Sequence, residues 1–180
     1  GNEILTSSSP VTLVWNNGNG LTFSRVISVD DDYLFTIEQG VQNSTDKAVE
    51  LKPYGIVRRS GEPKDLKNFF ILHEGLVRMS DETLDEHSYD KMHDYAFNEG
   101  DRTNKEIVEV MEDGWIGFTD HFWMTALVPK PGTPFRSTAW YYEPKDIFQA
   151  EIVMPKITIP IGQIASVQSQ FFAGAKDWSI

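Results

Sequence analysis

The chain has 180 residues, 40% of them hydrophobic and 12% aromatic, enough apolar side chain to give one domain its own core. Its formal net charge of −11 argues against nucleic acid, which needs a basic surface, and against broad electrostatic attachment to anionic lipid. Without cysteine it forms no disulfide, no thiolate metal site and no cysteine nucleophile.

Short runs of Val, Ile, Thr and aromatic residues, cut by Gly and Pro, point to strands rather than helices. Residues Val11 to Trp15 form a first strand, and Asn16-Asn17-Gly18-Asn19-Gly20 a turn, because Asn and Gly accept positive φ at low cost. The next strand runs from Leu21 to Val29, with Leu21, Phe23, Ile27 and Val29 on one face. Arg25 interrupts that face, and its head is expected to reach an edge or a carboxylate. Asp30-Asp31-Asp32 lacks the spaced acids and the Gly of a calcium loop, and reads as a solvated turn. Tyr33 to Val41 is a further strand, and Asn43-Ser44-Thr45 is a formal glycosylation sequon. The parity of apolar side chains changes at Pro53, which predicts a bulge or an edge position. Arg58 to Lys64 reads as an exposed loop.

Residues 69–79 return to strand, broken at Gly75, and Leu84 to Met92 is assigned to a strand in preference to a short helix. Asn98-Glu99-Gly100-Asp101 is a hairpin tip, and Ile107 to Met111 leads to residues 113–129, which hold two of the five tryptophans. Phe122, Met124, Ala126 and Val128 fall on one side of an extended chain, Trp123, Thr125 and Leu127 on the other. Both sides are largely apolar, which predicts a central strand covered on both faces. Trp123 is then a core residue whose replacement by Ala is expected to cost roughly 3–5 kcal/mol. Three more strands are expected over residues 135–142, 147–154 and 164–173. About ten strands at short intervals, with no repeat and no long helix, are the pattern of an antiparallel sandwich. No run approaches the ~18 apolar residues of a membrane span. The start, Gly1-Asn2-Glu3, shows no signal peptide and reads as that of a processed or excised fragment.

The four histidines, His73, His87, His93 and His121, lack the His-Glu-x-x-His spacing of a zinc peptidase. His87 and His93 stand six apart, too far for one metal on a strand, and the adjacent pairs His73-Glu74 and Asp120-His121 point to opposite faces. There is no Gly-x-Ser-x-Gly elbow and no phosphate-binding glycine loop. The aromatic stripe Trp115, Phe118, Phe122 and Trp123 has the chemistry to stack sugars, but its place in the most apolar stretch assigns it to packing. No catalytic, cofactor-binding or metal-binding residue is expected.

Four blocks, in order, resemble the large periplasmic domain of the bacterial membrane protein insertase YidC: residues 10–45, PVTLVWNNGNGLTFSRVISVDDDYLFTIEQGVQNST; residues 69–79, FFILHEGLVRM; residues 113–130, DGWIGFTDHFWMTALVPK; and residues 169–178, SQFFAGAKDW. The last two are similar to the family's central tryptophan strand and its Phe-Ala-Gly-Ala-Lys segment. The resemblance implies an all-β fold, an antiparallel β-supersandwich like that of galactose mutarotase. It implies a domain over residues 1–176, with 177–180 beginning a linker toward a transmembrane helix. Family domains are usually longer at the N-terminus, so the first strands are expected to be missing and a sheet edge exposed.

The same resemblance implies a non-enzymatic role with no cofactor, at the periplasmic face of the inner membrane, attached only through segments outside this chain. The arginine-bearing hydrophilic groove of the insertase belongs to a later region, so no residue here inherits it. The implied partners are SecDF, the Sec translocon and nascent inner-membrane proteins. By position, the contact falls on Phe69, Phe70, Leu72, Leu76, Arg78 and Met79. A competing reading is a carbohydrate-binding or mutarotase-like sandwich, which needs a His acid and a carboxylate base in one cleft. An apolar groove would instead favour polypeptide, and a contiguous exposed apolar patch would suit a free-standing chaperone.

Overall fold

The computed structural model describes residues 4–64 and 73–176. The N-terminal part is a meander of β1 (Val11–Asn16), β2 (Leu21–Val29) and β3 (Leu34–Asn43), followed by β4 (Val49–Leu51) and β5 (Tyr54–Ser60). After the undescribed segment come β6 (Gly75–Ser80), β7 (Thr83–Ser88) and a short helix, α1 (Tyr89–His93). Then follow β8 (Phe97–Asn98), β9 (Thr103–Val110), β10 (Gly114–Thr119), β11 (Trp123–Pro129) and β12 (Phe135–Tyr142). The chain closes with β13 (Ile147–Val153), β14 (Ile157–Ile159) and β15 (Ile164–Ala175).

These strands form an eight-stranded antiparallel sheet, in the order β1-β2-β3-β15-β11-β10-β6-β7, and a five-stranded sheet, β5-β13-β12-β9-β8. A two-stranded ribbon, β14-β4, completes the set. The all-β sandwich expected from the sequence is therefore the fold. The strands are more numerous than about ten because several are only two or three residues long. The last strand, β15, lies between β3 and β11, with Phe171 opposite Phe35 and Leu127 opposite the same Phe171.

The core lies between the two sheets. Leu76 on β6, Ile116 and Phe118 on β10 and Leu127 on β11 meet Val110, Phe135, Ala139, Phe148 and Ile152 from the smaller sheet. Helix α1 adds Tyr89 and Met92, and the Tyr89 ring stands edge-on to Phe148 at 4.9 Å. Among the described residues, β1, β2 and β3 give nothing to this cluster. The smaller sheet thus covers only one half of the larger.

Residues 113–129 are a hairpin, not one strand: β10 and β11 turn at Asp120-His121-Phe122. They do hold interior places in the larger sheet, and the neighbours Ala126 and Leu127 are both buried. Gly117 belongs to the pairing itself, because a Cβ there would come within 1.8 Å of the Thr125 carbonyl oxygen. Trp123 is a correction. It is 63% exposed, because it starts β11 opposite Ala175 at the very end of the sheet. Phe122 is equally exposed in the turn.

Other expectations change in kind. Arg58 and Arg59 lie within β5, not in a loop: Arg58 Nε donates to Gln149 at 2.8 Å, and Arg59 pairs with Asp120. The parity change at Pro53 is a change of sheet, from β4 in the ribbon to β5 in the five-stranded layer, with the Pro53 carbonyl accepting from Met154 N at 2.9 Å. The stretch Leu84 to Met92 divides into β7 and α1, where Ser88 caps the helix by accepting from Lys91 N. Asp30 makes its turn by accepting from the amides of Asp32 and Leu34 at 3.0 and 2.9 Å. Asn43 of the sequon is fully buried, and its amide donates to the carbonyls of Lys47 and Ile159 at 2.9 Å each. Its role in the folded domain is structural.

Candidate functional site

The uncovered half of the larger sheet carries an apolar groove of about 520 Å³, within the range of ordinary ligand-binding clefts. Its floor is the inner face of β1, β2, β3 and β15, with Phe23, Val41, Ala165 and Val167. Its far wall is the β4–β5 junction, Leu51 to Tyr54, together with Ile157 of β14. Gln39 Nε2 reaches from the floor to the Tyr54 carbonyl at 3.3 Å and ties wall to floor. The rings of Trp15 and Phe23 lie 5.2 Å apart.

Three large apolar side chains in this groove remain substantially in water: Leu13 is 53% exposed, Trp15 62% and Tyr54 57%. Val14, the neighbour of Leu13 and Trp15, is 65% exposed. Strand β1 pairs only with β2, so its outer backbone edge is open among the described residues. Exposed apolar side chains beside an open strand edge are the two ingredients of strand addition: main-chain hydrogen bonds for affinity, side-chain contacts for selection. The charged groups lining the groove are both cationic, Arg25 and Lys52. Arg25, expected to find an edge or a carboxylate, lies exposed at this groove beside the edge strands. No histidine or carboxylate lines it among the described residues.

The segment singled out from sequence sits elsewhere. Phe69, Phe70 and Leu72 lie outside the described residues. Leu76 has no exposed surface and belongs to the core. Arg78, 1% exposed, donates through Nη2 to Asp85 at 2.9 Å and to Glu106 at 2.6 Å, linking β6 to β7 and to β9 of the other sheet. Neither offers a surface in the folded domain, because the smaller sheet covers that half of β6. Met79 is half-buried. Sequence reasoning passed over Leu13, Val14 and Trp15, which it read only as a first strand. The available signal was the run Leu13-Val14-Trp15, three adjacent apolar side chains that cannot all face one covering layer.

The family model for the YidC periplasmic domain matches residues 1–180. The chain belongs to the YidC periplasmic domain family. It is 50% identical over 175 residues to the membrane protein insertase YidC of Ruegeria sp. (strain TM1040), a match that covers 97% of this chain and 29% of that protein. It is 49% identical over 176 residues to the insertase of Dinoroseobacter shibae, covering 98% of this chain and again 29% of the relative. The chain thus spans under a third of the length of these relatives, which are named as insertases. Among solved structures, the Slr1438 protein from Synechocystis sp. PCC 6803 is similar, with a TM-score of 0.58 at 11% identity over 97% of this chain and 65% of that one. At that identity the likeness concerns the fold alone. The family places the YidC domain in the periplasm, in agreement with the resemblance of the four sequence blocks.

Proposed function

We propose that this periplasmic domain serves its insertase as a docking module for extended, apolar polypeptide segments, received in the groove beside β1. The observation that carries the reading is the coincidence of exposed Leu13, Trp15 and Tyr54 with a strand edge that is open among the described residues. The absence of a His–carboxylate pair from the groove lining, among the described residues, speaks against the mutarotase-like alternative. The groove's occupants are nascent inner-membrane proteins, whose hydrophobic stretches need cover before they are fully inserted. Arg25 and Lys52 favour segments with an acidic flank.

Contact with SecDF and the Sec translocon is assigned, by the resemblance, to the segment around Phe69, Phe70 and Leu72, with Met79 the accessible member of β6. The domain stands at the periplasmic face of the inner membrane, attached through parts of the protein outside this chain, with residues 177–180 opening a linker. A photo-crosslinking residue placed at Leu13 in the full-length insertase tests the docking role. Crosslinks to an inserting client are expected, and Trp15→Asp should reduce their yield several-fold without unfolding the domain, since Trp15 is already in water. Equal yields with and without that substitution, or crosslinks no stronger than from exposed Glu82 on the opposite half of the sheet, would refute it.

A further inference from the structure

Glu62 follows β5 in the chain, whereas Asp90 and His93 stand about one turn apart on α1. The fold brings them together: one potential ligand atom from each lies within 4.8 Å of the others. His93 Nε2 is 3.9 Å from Glu62 Oε1, beyond hydrogen-bond reach. That nitrogen is closed off from solvent and has no hydrogen-bond partner among the described residues. A desolvated ring nitrogen without a partner costs free energy, and this one faces two carboxylates.

The imidazole is held in place before any ligand arrives. Its ring lies against Tyr141, centroids 4.2 Å apart, and against Phe148 at 5.5 Å. The helix that carries it is pinned by buried Tyr89 and Met92, by the Ser88 cap and by Asn104, whose amide donates to the His93 carbonyl. Glu62 and Asp90, by contrast, are exposed. The surroundings are acidic. Asp146 lies alongside, its carboxylate accepting from the Tyr141 hydroxyl at 3.3 Å. The nearby cation Arg59 is already engaged by Asp120 and by the Gly61 carbonyl.

We propose that Glu62, Asp90 and His93 form a binding site for a divalent first-row transition-metal ion such as Zn²⁺. One imidazole nitrogen with two carboxylate oxygens is a donor set that suits zinc or manganese, and it leaves positions for water. Zinc bonds of about 2.0–2.2 Å require the ligand atoms to draw closer together. The two exposed acids rotate toward the packed imidazole to do so. A bound ion joins the end of β5 to α1 and neutralises the converging acids.

Isothermal titration of the 180-residue chain, stripped with a chelator, with ZnCl₂ or MnCl₂ tests the site. The expected result is one saturable equivalent, weakened about tenfold or more by His93→Ala and likewise by the pair Glu62→Gln and Asp90→Asn. The acid pair is exposed and nearly isosteric, so it tests binding even if His93→Ala disturbs the ring packing. Mn²⁺ should broaden the ring signals of Tyr141 and Phe148 before it touches those of Asp30, Asp31 and Asp32. No saturable uptake, uptake unchanged in the acid pair, or broadening confined to the Asp30–Asp32 turn would overturn the proposal.

Discussion

A large aromatic side chain stabilises a fold by the area it removes from water, whatever the apolarity of its neighbours in sequence. Phe148 has no exposed surface and is touched by the rings of Tyr89, Tyr141 and His93. Trp123 leaves most of its surface in solvent. Phe148→Ala is therefore expected to cost about 3–5 kcal/mol through lost burial and a cavity. Trp123→Ala should cost under about 1 kcal/mol, as for a surface substitution. Urea unfolding of the two variants measures both, and a larger loss at Trp123 than at Phe148 would contradict the packing described. Sequence parity could not separate these two residues. It tells which face a side chain takes, but not whether the opposing layer extends far enough to cover it. The convergence of Glu62 with Asp90 and His93 was equally invisible, because 28 positions separate Glu62 from Asp90 and only the packing of α1 against the smaller sheet closes that distance.

Two turn carboxylates contribute to the acid sensitivity of this sandwich. The β9–β10 turn is held by Asp81, whose carboxylate accepts from the amides of Glu112 at 2.8 Å, Met111 at 3.1 Å and Asp113 at 3.2 Å. Those bonds, from Glu112 foremost, hold the Asp81 carboxyl below its ordinary value of 3.8. A depressed folded-state pKa means that the charged form favours the native state. Its stabilisation is present in full above the unfolded value and is lost as pH falls through the lowered folded value. Asp101, held down by Lys105 and Thr103 at the β8–β9 hairpin, acts in the same direction. Asp81→Asn keeps an acceptor oxygen and tolerates the positive φ of 52° at that position, but it cannot titrate. Thermal midpoints measured from pH 6 down to ~pH 2.5 should therefore fall less steeply in the variant than in the parent. Parallel curves would mean the turn does not depend on the charge. Elements of this size were largely legible in the chain. β12 occupies the residues its alternation predicts, and the parity break at Pro53 marked a real boundary. Helix α1 was not legible, since five residues carry too little periodicity to outweigh the strand before them.

The whole sandwich depends on its last strand. β15 lies between the N-terminal meander β1-β2-β3 and the group β11-β10-β6-β7, and without it the eight-stranded sheet falls into two separate pieces. The core cluster belongs almost wholly to the second piece and the smaller sheet, with Val167 and Phe171 of β15 packed against its border. The groove belongs to the meander, and β15 supplies Ala165 and Val167 to its floor. One strand thus joins the part that supplies stability to the part that offers a binding face. This division was not legible beforehand. Strand order within a sheet is a property of long-range pairing, and nothing local distinguishes β15 from β12 as a run of alternating residues. The division has a consequence that truncation can measure. A chain ended at Gln163 keeps the cluster built on Phe148 but loses the partner of β3 along Leu34 to Gln42 and the partner of β11 along Trp123 to Pro129. The meander, left with exposed Phe35 and Ile37 and no core of its own, should then exchange its amide hydrogens as an unfolded segment does, while the β12–β13 pair retains slower exchange. In the intact chain β15 should be among the last strands to exchange, and β1, bonded on one side only among the described residues, among the first. Protection of β2 and β3 that survives the truncation would show that the meander folds independently, and the groove would then be a separate unit that β15 merely borders.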